Sequence, residues 1–222
     1  MRDPQWKALS RHDWGEILEL LEKKTYQRKF QIIEAFLKLA AQDGFHQVSH
    51  ARIAKECGVT RPVVINHFPT EADLVALAYR YLYARLQKLC ADGISSRQGA
   101  TNQFKGYVEA IARWTFEHRD HASFLGQFFA LLRTKVEYRD LFDRNLRIGR
   151  ERIAAIGEEA QAEGQLGRLS PEALLARAAS VQYQVFGFIV IESANVRAQA
   201  LEETKLQELI RTCLHAMGLP AG

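Results

Sequence analysis

Between Ser49 and His67 the chain sets out short, hydrogen-bonding side chains at helical intervals. Arg61 carries a fork of N–H donors that matches the O6 and N7 edge of a guanine, and Asn66 can pair its amide with an adenine in the same bidentate way. Val63 and His67 share their outer face. Ser49 and Thr60 stand at helix starts, where hydroxyls and first-turn amides suit phosphate oxygens. His46 and His50 are four apart but flank a helix start, so they do not share one helix face. They read as a turn histidine beside a DNA-facing one, and no metal site is expected.

These side chains need a rigid frame, and the local sequence supplies one. Ser49 can cap one helix, with Val48 and Ile53 as a hydrophobic staple. Gly58 suits the positive φ that closes it. Thr60 is expected to repeat the cap, with Val59 and Val64 as its staple, and Thr70 to repeat it again with Asp73. Ile53, Ala54, Val59, Val64 and Phe68 form an apolar set that should pack on Phe36 and Leu37. Two short helices over 50–57 and 61–67 therefore read as a helix-turn-helix whose second helix fits the major groove of double-stranded DNA.

Charge agrees in direction. From Lys23 to Glu71 eight Lys/Arg face four acids, a net +4 equal to that of the whole chain. Residues 1–22 are net acidic, so a helix expected over 13–23, with Trp14 on its apolar face, reads as packing rather than binding DNA.

The remainder shows three-and-four apolar spacing with almost no strand pattern, which predicts an all-α protein. Helices are expected over 25–42, stopping at Asp43-Gly44, and from Glu71 to about Cys90. A linker is expected over 93–100, then helices near 101–118, 121–135, 138–163, 171–195 and 202–217. Ser170-Pro171-Glu172 is a capped start with proline in the first turn. The domain reading is an N-terminal extension (1–24), a helix-turn-helix domain (25–72) and a larger helical domain (73–222).

The stretch from Phe30 to Leu74 resembles the DNA-binding domain of the tetracycline-repressor (TetR) family of transcriptional regulators. The likeness rests on Ile33-Glu-Ala-Phe, Gly44-Phe45, Ser49, Ile53-Ala54, Gly58-Val59-Thr60, His67-Phe68 and Leu74. It implies a homodimer on a roughly palindromic operator, with a C-terminal domain that takes a small hydrophobic effector and then releases DNA. The family usually has tyrosine where this chain has Ile65 and lysine where it has Glu71. A carboxylate at Glu71 suits the helix dipole but repels phosphate, so altered backbone anchoring is expected, with Lys23, Lys24 and Arg28 compensating. An alternative is a helical small-molecule-binding or protein-interaction protein that has kept the fold and lost DNA binding.

Aromatic residues concentrate in the C-terminal half. Most should be core, while Trp114, Phe128, Gln182 and Tyr183 are candidates for lining an effector cavity. No nucleophile-elbow, phosphate-loop, dinucleotide or zinc-protease motif is present, so neither enzyme chemistry nor a cofactor is expected. The three cysteines form no C-x-x-C pair, which fits the cytoplasm. The longest uninterrupted apolar stretch of the C-terminal half, Val185 to Ile191, falls short of a membrane span.

Overall fold

The computed structural model describes residues 19–20, 23–195 and 200–220. Among these, every regular element is helical. A 3-10 turn over Lys24–Tyr26 leads into α1 (Gln27–Asp43), and a second over Phe45–Gln47 leads into α2 (His50–Glu56) and α3 (Arg61–His67). There follow α4 (Glu71–Ser95), α5 (Ala100–Glu117), α6 (Arg119–Leu131), a 3-10 turn over Val136–Tyr138, α7 (Arg139–Ala162), α8 (Pro171–Ala194) and α9 (Glu203–Met217). The helix expected over 13–23 lies outside the described residues except for Glu19, Leu20 and Lys23.

The chain divides into two compact units. One comprises Met1–Lys88 with Arg119–Thr134, the other Leu89–His118 with Lys135–Gly222, and α4 runs from the first into the second. In the first unit Ile33, Phe36 and Leu37 of α1 are buried, as are Ile53 and Ala54 of α2, Val64 of α3 and Phe68 after it. This is the apolar set expected from the sequence, except that Val59 is only half-buried. α1 stops where expected, because Gly44 adopts φ +82° and its N–H closes on the Ala40 carbonyl. Gly58 turns the chain between α2 and α3 with φ +65°.

The second unit packs α5, α7, α8 and α9 together with the end of α4. The linker expected over 93–100 is shorter than read, since 93–95 remain helical and the break spans only 96–99. Gly93 is a helix crossing point rather than the start of a linker. A Cβ on it would fall 2.6 Å from the Gly106 carbonyl oxygen, so α4 and α5 touch backbone to backbone. α8 starts as its sequence announces, with Ser170 Oγ accepting from the Ala173 N–H and Pro171 in the first turn. Its buried face is Leu174, Ala178, Val181, Val185 and Ile189. Leu175, Tyr183 and Ile191 point outward at 41%, 69% and 68% exposure. By length and composition α8 is apolar enough to cross a membrane, which the short uninterrupted stretch read from the sequence had not suggested. One third of its most apolar window is already buried against protein.

Candidate nucleic-acid interface

The frame for α3 is built from local capping and one apolar seam. Ser49 is extended, and its Oγ accepts from the Arg52 N–H at 3.3 Å, as the sequence implied. Thr70 does the same for the Asp73 N–H at 3.1 Å at the start of α4. The expected cap by Thr60 does not form, although Thr60 stands at the cap position with extended backbone. Pro62 removes one first-turn N–H, and the Val63 N–H goes to the Thr60 carbonyl at 3.0 Å. The Thr60 hydroxyl is thereby left with no helix amide to accept from.

Val64 and Phe68 pin α3 to the core, which turns its other face outward. Arg61 and Asn66 are exposed, and Val63 and His67 are half-exposed beside them. Neither Arg61 nor Asn66 makes a side-chain hydrogen bond or ion pair among the described residues. A cleft of about 360 Å³ opens next to this face, lined by His46, Ser49, His50, Arg61 and Glu71. It gathers four basic or hydroxyl side chains and one carboxylate. Glu71, exposed at the start of α4, is the single acid in that lining.

His67 connects α3 to the basic start of α1. Burial holds its imidazole below the ordinary histidine range, and the charges of Lys29 and Arg28 push in the same direction. At neutral pH it is an uncharged donor and acceptor. Arg28 is exposed and bonds Gln31 at 2.8 Å, while Lys24 is exposed in the 3-10 turn before α1. His50 is half-buried as the first residue of α2. The structure thus brings Ser49, His50 and Arg61 to one cleft and Arg28 to the neighbourhood of His67.

A half-buried polar cluster missed in the sequence underlies the same unit. Glu34 of α1 accepts from Tyr81 Oη and from Arg85 Nη1 at 3.2 Å, and its other oxygen lies 3.0 Å from His121 Nε2 of α6. Burial alone would raise its pKa. The hydrogen bonds from His121 and Tyr81, together with the charges of His121 and Arg85, outweigh that and hold the carboxyl at about 2.

The four candidate effector residues fall in different settings. Trp114 and Phe128 are fully buried, and Phe128 stacks on Tyr79 at 4.1 Å between ring centres. Gln182 is buried, donating to the Leu146 carbonyl at 2.8 Å and accepting from Arg150 Nε at 2.7 Å. Tyr183, the next residue, is exposed. A shallow cleft of about 310 Å³ in the second unit is lined by Ile94, Gln103, Arg152, Ile156 and Glu159, and by none of the four.

This geometry defines a helix-turn-helix module, and comparison with known proteins agrees. Residues 32–78 match the family of bacterial regulatory proteins, tetR family. Over 96 residues the chain is 32% identical to an uncharacterized HTH-type transcriptional regulator, YuxN, of Bacillus subtilis, covering 41% of this chain and 32% of that protein. Over 90 residues it is 28% identical to the HTH-type transcriptional regulator BetI of Yersinia pestis, covering 40% and 44%. The chain thus aligns with less than half the length of these curated relatives. A transcriptional regulator from Saccharomonospora viridis, solved in complex with choline, shares the fold with a TM-score of 0.72 at 18% identity, covering 86% of this chain and 96% of that one. The sequence match to the tetR family is thus confined to residues 32–78, and the described residues share the all-helical fold of the solved regulators.

Proposed function

We propose that this chain is a one-component transcriptional regulator that binds a roughly palindromic operator as a homodimer and leaves it when a small hydrophobic molecule binds. The observation that carries the reading is the outer face of α3, where Arg61 and Asn66 are presented to solvent with no partner of their own in the described residues. Arg61 and Asn66 read base edges, Val63 packs on a thymine methyl group, and Ser49, Thr60, His50 and His67 meet the backbone. Lys24 and Arg28 add charge where the Glu71 carboxylate withholds it.

The dimer is supported by α8. Leu175, Tyr183, Val190 and Ile191 form an exposed apolar stripe along one side of it, while α9 covers another side. A stripe of this kind is self-complementary under a two-fold axis. Such a dimer would set two recognition helices about 34–36 Å apart, one helical turn of DNA. The choline bound by the Saccharomonospora viridis neighbour supports an effector of small-molecule size. Trp114 and Gln182, both buried in the second unit, remain effector candidates, and the site of action is the cytoplasm, where the operator lies.

Glu71 favours a second reading, a helical ligand-binding or protein-interaction protein of this fold without DNA binding. A salt titration on the duplex upstream of its own gene separates the two, combined with sedimentation to measure the oligomeric state. The regulator gives a dimer whose affinity falls steeply and linearly in log salt. A chain with no salt-sensitive affinity for any duplex has lost the function proposed.

A further inference from the structure

The contact between α1 and α6, both in the first unit, is organised as a register lock. Near the start of α6 the His121 imidazole meets Glu34 at 3.0 Å. The Phe124 ring then meets Phe36 edge to face at 5.5 Å between centres. Beyond them Gln127 donates from Nε2 to the Ala40 carbonyl at 2.9 Å and accepts at Oε1 from the Phe45 N–H at 3.0 Å. The partners advance by six residues along both helices, from 34 to 40 and from 121 to 127, which is about 9 Å at the helical rise.

The last of these contacts sits at a sensitive place. Ala40 is in the last turn of α1, and its carbonyl already takes the Gly44 N–H that closes the helix. Phe45 is the first residue after Gly44 and opens the 3-10 turn that delivers Ser49 to the start of α2. A single amide side chain therefore ties the carbonyl before the chain reversal to the N–H after it. Both groups are main-chain, so the grip does not depend on which side chains stand at Ala40 or Phe45. Because α2 and α3 follow directly from this turn, fixing its geometry fixes where α3 begins.

We propose that Gln127 is a positioning residue for operator recognition: from α6, without touching DNA, it holds the α1–α2 reversal in the conformation that presents α3 correctly. Without it the turn samples other conformations, and apparent affinity for a specific site falls in proportion to the competent fraction. Non-specific binding, which needs charge but no alignment, is spared. The inference rests on the DNA-binding function proposed above. That function is tested by the parent protein alone, whereas Gln127 is tested by the difference between parent and variants.

The experiment uses the full chain and two probes, a duplex selected from a random pool by the parent protein and a scrambled duplex of equal length. Gln127→Met keeps the length and loses both hydrogen bonds. Gln127→Glu keeps the acceptor for the Phe45 N–H and loses the donor. The selected-to-scrambled affinity ratio is expected to fall about tenfold in Gln127→Met, as expected for losing both bonds of the grip. Gln127→Glu should also fall below the parent, because a carboxylate oxygen then faces the Ala40 carbonyl oxygen. Amide exchange at Phe45 should accelerate in Gln127→Met and stay close to the parent in Gln127→Glu. Ratios within twofold of the parent in both variants overturn the proposal, as does a ratio that changes only in step with scrambled-duplex affinity and melting temperature. Should Gln127→Met fail to fold, Gln127→Glu carries the test alone, and a ratio equal to the parent's overturns it.

Discussion

Asn66→Ala isolates base reading from everything else that DNA binding requires. Asn66 is exposed near the end of α3 and makes no side-chain hydrogen bond among the described residues, so truncation removes nothing internal. Folding stability should therefore move by no more than about 0.5 kcal/mol. On DNA the loss is larger. A bidentate amide-to-adenine pair contributes about 1–3 kcal/mol of discrimination, roughly 5- to 150-fold in affinity per recognition helix. A dimer with two half-sites doubles the energy, to about 2–6 kcal/mol. Asn66 is uncharged, so the slope of log affinity against log salt should not change. The assay is fluorescence anisotropy on a selected duplex at several salt concentrations, with melting temperature measured on the same samples. Less than a twofold loss of affinity at an unchanged melting temperature would refute the assignment of Asn66 to a base.

Two further predictions concern charge. Glu71→Lys should tighten binding to any duplex, selected or scrambled, and steepen the salt slope by about one unit per protomer, because a phosphate contact replaces a repulsion. A slope unchanged within error would mean that the start of α4 does not approach the backbone. Glu34 is held at about 2, below its ordinary value of 4.5, so its ionised form stabilises the fold. That contribution is complete above pH 4.5 and is lost as pH falls toward 2. Urea midpoints measured across this window should fall less steeply in Glu34→Gln than in the parent, and equal slopes would show that the cluster with His121, Tyr81 and Arg85 carries no such linkage.

Most of the helical order was legible because its signals are local. Asp43-Gly44 needs only a positive φ after a run of apolar spacing, and Ser170-Pro171 needs only a cap and a first turn. Both landed where read. Thr60 shows how the same logic fails. The residue type suits a cap, but Pro62 takes away one donor and the Thr60 carbonyl takes the next. The linker expected over 93–100 began at Gly93 because glycine and serine cluster there. The reason for a glycine at that position lies thirteen residues away in Gly106, and no local pattern carries that. The outward face of α3 followed from Val64 and Phe68 being apolar at the right spacing. The contacts of Gln127, His121 and Glu34 were not legible, since they join residues 47 to 87 positions apart and a lone glutamine announces nothing. Trp114 and Phe128 mark the limit of composition, because aromatic cavity walls and aromatic core share the same residue types.

The meeting of Gly93 with Gly106 has a practical consequence for anyone mutating the second unit. Where a side chain meets another side chain, a change of size can be taken up in part by rotamer changes in the neighbour. At this crossing bare main chain lies against bare main chain, so there is nothing to repack. Substitution libraries over the surrounding positions should leave these two glycines untouched.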